Sequence, residues 1–104
     1  MKTTNVATMN FEWDATKAAT NLTKHGVSFE TAARVFADPH RIESYDEPHS
    51  TSEEDRWLSI GMVDGELLLL VSFTLRGDDE ETTRLISARK ANEKERKQYR
   101  KTQP

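Results

Sequence analysis

The stretch Glu66–Arg76, ELLLLVSFTLR, constrains the fold more than any other part of this chain. Its run Leu67–Val71 is the longest apolar segment among residues that are 35% hydrophobic and 32% charged. Such a run is far shorter than the ~20 residues a membrane-spanning helix needs. Bounded by turn signals, it reads as a strand covered on both faces for part of its length. Asp64-Gly65 precedes it, and both residues tolerate positive φ, so a tight reversal is predicted there. Upstream, RWLSIGM alternates Trp57, Ser59 and Gly61 with Leu58, Ile60 and Met62, the period of a half-buried strand. Downstream, Gly77–Thr82 turns the chain into TRLISAR. An antiparallel meander follows, with ELLLLVSFTLR at its centre.

The first half carries a helical period instead. FEWD is a short strand in which Phe11 and Trp13 alternate with Glu12 and Asp14. Asp14 then caps a helix over Ala15–His25, because its carboxylate can accept a free first-turn N–H. Ala15, Ala18, Ala19 and Leu22 form the predicted buried stripe. Gly26 closes the helix in the left-handed conformation, with a Schellman contact expected between Val27 and Leu22. Ser28 caps a second helix that buries Phe29, Ala32, Ala33 and Phe36. Asp38-Pro39 ends it, since proline pushes its predecessor out of the helical region. Ile42–Tyr45 is a short strand, followed by a polar loop, Asp46–Asp55. Asn92 and Glu95 form a capping box that opens a final helix through about Tyr99. Residues 1–10 show no periodicity and are expected as a flexible leader before one domain over 11–101, with Met9 a second possible start. With 104 residues there is room for one modest core. The expected class is α+β: a small antiparallel β-sheet with two N-terminal helices and one C-terminal helix.

Charge is unevenly placed. The net value is −3, yet Arg84–Lys101 holds eight Lys/Arg against two Glu. Glu43–Asp55 carries six acidic residues and no Lys or Arg, and Asp78–Glu81 is four acids in a row. Net charge therefore understates how positive one face is, and the basic C-terminal segment is either a site for a polyanion or a solvated surface. The absence of cysteine removes disulfides and thiolate zinc sites. The three histidines lack metal-ligand spacing, so neither a metal nor another cofactor is expected. No secretory signal opens the chain, which points to the cytoplasm and away from membranes.

Three arginines end or begin predicted strands. Arg76 and Arg89 should lie near opposite ends of the last hairpin, whereas Arg56 should lie near Arg76. A guanidinium grips phosphate oxygens with paired hydrogen bonds, or simply keeps its head in water. His25 is placed either to transfer protons or to cap the carbonyls of the first helix. Glu54 is a base beside Arg56 or one more solvated acid. Trp13 and Tyr99 stack on bases or pack in the core, and packing is the commoner use. His40 and His49 sit in polar segments without identifiable partners. No phosphate loop, GxSxG elbow or HExxH pattern occurs.

FEWDATKAATNLTKHGVSFETAARVFADP, residues 11–39, resembles the opening of BrnT-type toxins, in which F-x-W-D leads a helix ending in KHG-V-x-F. EEDRWLSIG (53–61) and ISARKANEKERKQY (86–99) match two further signatures of that family, E-x-R-W-x-x-x-G and ISAR-[RK]-A-[TN]-x-x-E-R-x-x-Y. Three motifs in order, spanning about residues 11–100, make the resemblance specific. It implies a RelE-like fold and the toxin half of a type II toxin–antitoxin pair, an endoribonuclease that cleaves RNA and stops translation. It also implies a cognate BrnA-like antitoxin with a ribbon-helix-helix part, an oligomeric toxin–antitoxin complex, and contact with DNA only through that complex. The family pattern falls on Lys24, His25, Glu54, Arg56, Arg76, Arg89 and Lys90. On this reading His25, Glu54, Arg76 and Arg89 carry metal-independent catalysis by attack of the ribose 2′-OH. Lys24, Arg56 and Lys90 hold RNA, with Lys94 and Lys97 of the last helix adding attraction. The acidic turn Asp78–Glu81 departs from the usually more basic family. The alternatives are a non-catalytic module that binds an antitoxin and modulates operon repression, and a direct nucleic-acid-binding regulator.

Overall fold

In the computed structural model, which describes residues 1–104, the predicted meander forms the centre of a larger sheet. Its strands are β4 (Trp57–Val63), β5 (Leu67–Arg76) and β6 (Thr82–Lys90), paired antiparallel throughout. The reversal between β4 and β5 places Asp64 and Gly65 at φ 55° and 72°, as the turn chemistry demands. Around this centre lie β1 (Lys2–Val6), β2 (Met9–Trp13) and β3 (Ile42–Tyr45), in the order β1-β2-β6-β5-β4-β3. The helices are α1 (Ala15–His25), α2 (Phe29–Ala33) and α3 (Glu93–Lys101), and a 3₁₀ turn over Arg34–Ala37 continues α2.

The sheet is mixed rather than purely antiparallel, because β2 runs parallel to β6 from Asn10↔Thr82 to Glu12↔Arg84. Alternation along a strand says which side chains face the core, but not which strand lies alongside or in which direction. Residues 2–6, expected within an aperiodic leader, pair with β2 as an edge strand. Their sequence, KTTNV, is too polar to show a buried face. The turn joining them puts Ala7 and Thr8 at positive φ without a glycine to announce it.

The main core lies between the sheet and the layer formed by α1, α2 and the 3₁₀ turn. Phe36 bridges Phe11 of β2 and Phe73 of β5, with ring centroids 5.2 and 5.0 Å apart. Phe29, Ala32, Ala33 and Phe36 are buried as their spacing predicts, together with Leu69, Val71, Leu85 and Ala88. A smaller cluster on the opposite face packs Tyr99 of α3 with Ile60, Leu68 and Ala91. The capping box at Asn92 and Glu95 is formed, and α3 runs two residues past the expected Tyr99.

The buried stripe of α1 differs from the sequence expectation. Leu22 is 51% exposed, while the polar neighbour Asn21 is 6% exposed. Asn21 sits against the edge of β6 beyond the short β2 pairing and acts as a substitute strand. Its Oδ1 accepts from Ala88 N–H at 3.1 Å, and its Nδ2 donates to Ala88 O and Val27 O, both at 2.9 Å. With Leu22 turned outward, the end of α1 is the single-bond left-handed cap rather than the Schellman pair. Gly26, at φ 69°, donates its N–H to Leu22 O at 2.8 Å.

Candidate active site

Which face of β6 each residue presents is decided by one irregularity. Ser72 pairs with Ser87 but Phe73 pairs with Leu85, so Ile86 is an extra residue in β6. The bulge lets both Leu85 and Ala88 face the main core although they are three residues apart. It also turns Arg89 to the other face, opposite Leu70. Without it, Arg89 would share the side of Leu85, since side chains alternate strictly along a regular strand.

That other face, left open between α3 and the end of α1, carries the candidate groups. One groove of about 390 Å³ is lined by His25, His49, Arg56, Arg89 and Glu95, with Leu58, Leu70 and Ile86 on its floor. Arg56 also borders a neighbouring depression with Glu54, Arg76, Arg84 and Lys17. Lys24 and His25 line a third, which meets the groove at Ile86 and Ser87. The three form a continuous strip across the sheet.

Ion pairs hold the arginines in place. Glu54 accepts from Arg56 Nε at 2.9 Å through one oxygen and from Arg76 at 2.7 Å through the other. The expected neighbourhood of Arg56 and Arg76 is therefore realised through a shared carboxylate. Arg89 lies toward the far end of the hairpin and makes a two-pronged bond to Glu95 at 2.8 and 2.9 Å. That bond, working against burial, holds the Arg89 guanidinium more firmly protonated than usual. Burial pushes the Glu95 carboxyl up, but the bonds from Arg89 and from Asn92 N–H outweigh it and keep it below the ordinary range. His25 is half-buried, and its ring has no hydrogen-bond partner within the chain.

The loop between β3 and β4 is more ordered than its composition suggests. Asp46 N–H donates to Arg56 O at 2.8 Å, closing the loop at its base. Inside, Ser50 Oγ accepts from Arg56 N–H and donates to Asp46 O, both at 2.8 Å. A 3₁₀ turn over Glu47–His49 brings the His49 ring onto the buried carboxylate of Asp46. The sequence left His49 without an identifiable partner, because the contact depends on how the loop closes. Spacing alone offered one weak sign, an Asp and a His three apart.

The remaining expected RNA-binding residues do not converge on the groove. Lys90, Lys94 and Lys97 are exposed beside or on α3. Across the sheet, Glu80 of the acidic turn borders a depression with Glu53, Glu54, Asp55 and Arg76, so negative charge flanks one end of the strip. No three His, Asp or Glu side chains converge as a metal-holding cluster.

Comparison with known proteins decides the family. Residues 13–95 match the family model described as the ribonuclease toxin BrnT of type II toxin–antitoxin systems. The chain belongs to the BrnT family. Its fold resembles the crystal structure of the Brucella abortus ribonuclease toxin BrnT, with a TM-score of 0.57 and 25% identity over 80% of this chain and 96% of that one. A comparison with curated protein sequences gives no match. As a BrnT, the chain is a ribonuclease toxin of a type II system, and an antitoxin partner is implied. The matched region includes His25, Glu54, Arg56, Arg76 and Arg89, but reaches only the first turn of α3.

Proposed function

We propose that this BrnT is a metal-independent endoribonuclease that cleaves RNA by internal transfer and thereby halts translation and growth. The observation that carries the reading is the single groove in which an unpartnered imidazole, His25, meets the guanidiniums of Arg56 and Arg89. The ribose 2′-OH attacks its own phosphorus, leaving a 2′,3′-cyclic phosphate and a 5′-OH end. His25 takes the 2′-OH proton. Arg89 and Arg76 supply positive charge where the phosphorane develops its negative charge. Glu54, with both oxygens engaged, holds Arg56 and Arg76 in register for a phosphate that competes for them. Lys24 continues the strip for flanking phosphates, while Lys90, Lys94 and Lys97 attract the polyanion at longer range.

On the same reading the fold is RelE-like and the protein acts in the cytoplasm. Its partner is a BrnA-like antitoxin whose ribbon-helix-helix part contacts DNA. The antitoxin covers this strip in an oligomeric complex. The test is induced expression of wild type and of an Arg76→Ala/Arg89→Ala double variant, with 3′-end analysis of the recovered RNA. Wild type should arrest growth and leave cyclic phosphate ends. The double variant should stay folded and lose on the order of 10²-fold or more in cleavage rate. Full activity in the double variant would remove both arginines from the site.

A further inference from the structure

Transfer to the 2′ oxygen needs two proton carriers, one at the attacking hydroxyl and one at the 5′ leaving oxygen. His25 is the first. Glu54 is poorly arranged to be the second, because its two oxygens already accept from Arg56 and Arg76. A second imidazole, His49, lines the same groove. Its Nδ1 lies 2.9 and 3.1 Å from the two oxygens of Asp46. Asp46 is 8% exposed, and its carboxylate has no other hydrogen-bond partner.

The chemistry of that pair is directional. An ionised carboxylate only accepts, so Nδ1 carries a hydrogen and donates, which leaves Nε2 for a ligand. The His49 side chain is itself 70% exposed, so substrate can reach it. The loop clasp through Ser50 ties Asp46 and the 3₁₀ turn to the backbone of Arg56. The spacing between this imidazole and a phosphate-gripping guanidinium is therefore fixed by one small closed loop. Arg89 and Glu95 are the other charged groups facing it across the groove.

We infer that His49 is the general acid of this site, with Asp46 its positioning residue. The inference rests on the ribonuclease reading above. In the step, the 2′-O–P bond forms and the P–O5′ bond breaks. The 2′-OH proton passes to His25, and the Nε2 proton of His49 passes to the 5′ oxygen. No water, oxidant or other co-reactant is consumed, and solvent exchange restores both rings.

The test uses an RNA oligonucleotide whose cleavage position has been mapped with the wild-type protein. The same oligonucleotide is made with sulfur in place of the 5′ bridging oxygen at that position. A thiolate leaves without protonation, so a missing general acid no longer matters. His49→Ala should lose about 10²-fold or more on the oxygen substrate, yet cleave the sulfur substrate within about tenfold of the wild-type rate. His25→Ala should be slow on both. Asp46→Asn should show a smaller loss on oxygen, also recovered on sulfur, and Asp46→Glu should restore part of the rate on oxygen. Recovery on sulfur also shows that the variant is folded. Equal slowness of His49→Ala on both substrates, or a wild-type rate on oxygen, would overturn the assignment while leaving the ribonuclease reading intact. A wild-type protein that cleaves no RNA would overturn that reading, and this inference with it.

Discussion

Replacing Tyr99 by Phe removes one hydroxyl and leaves the ring among Ile60, Leu68 and Ala91. That hydroxyl donates to Asp38 Oδ2 at 2.5 Å, joining α3 to the end of the 3₁₀ turn. Asp38 also accepts from Met62 N–H of β4 and from His40 N–H, each at 2.8 Å. A hydrogen bond to a charged group contributes about 1.5–3 kcal/mol. Two backbone donors remain on the carboxylate, so the loss should fall near ~1.5 kcal/mol. For a domain of this size, each kcal/mol lowers Tm by roughly 4–8 °C. The pH dependence is the sharper test. Burial, then the bond to Asp38 and its negative charge, push the Tyr99 hydroxyl from 10.0 up to about 12. The fold thus favours the neutral phenol, and its contribution is complete below pH 10 and lost between pH 10 and about 12. Burial pushes Asp38 up, but the bonds from Tyr99, Met62 and His40 outweigh it and hold the carboxyl below 3.8. Its contribution is therefore complete above 3.8 and lost as pH falls through that lowered value. Urea unfolding of both proteins at pH 3, 7 and 11.5 should show the largest gap at pH 7. Equal stability at pH 7, or a gap unchanged at pH 11.5, would refute this account of how α3 is anchored.

Substitutions centred on three further residues probe the packing, each read as a shift in urea midpoint. Asn21→Ala strips the bonds to Ala88 and Val27 and should cost about 2–4 kcal/mol. Asn21→Leu should fail to restore stability, because polarity rather than volume is missing. Gly61→Ala sets a Cβ 2.6 Å from Val35 Cγ1 and should cost about 1–3 kcal/mol, part of it recovered by adding Val35→Ala. Leu69→Ala should cost about 2–5 kcal/mol from the centre of the core, where Leu69 is fully buried; no change would show that β5 is not the spine of the fold.

Much of the candidate site was legible because its arginines stand beside strands that announce themselves. The alternation around Arg56 and the apolar run before Arg76 placed these two together, whereas Glu54, left open as a base beside Arg56 or a solvated acid, accepts from both arginines. Arg89 was placed at the right end of its hairpin, but a regular strand would have aimed it into the core. Its entry into the groove depends on the bulge at Ile86. The pairing of His49 with Asp46 was missed because a polar loop has no periodicity to read, and its clasp is made by hydroxyl and backbone bonds. The basic helix drew attention by composition, yet its lysines stand outside the groove.

Local chemistry, then, was determined by the sequence alone. Caps at Asp14, Ser28 and Asn92, the Asp64-Gly65 reversal and the β4-β5-β6 meander each follow from residues a few positions apart. Only the tertiary structure decided the rest: the parallel docking of β2 on β6, the strand-like use of Asn21, and the meeting of His25 with Arg89 and His49. Periodicity reports which side of an element is buried, because burial repeats with the backbone. It carries no record of which distant backbone supplies the missing hydrogen bonds, since any edge with free N–H and C=O groups could do so. That choice is made by the whole chain at once.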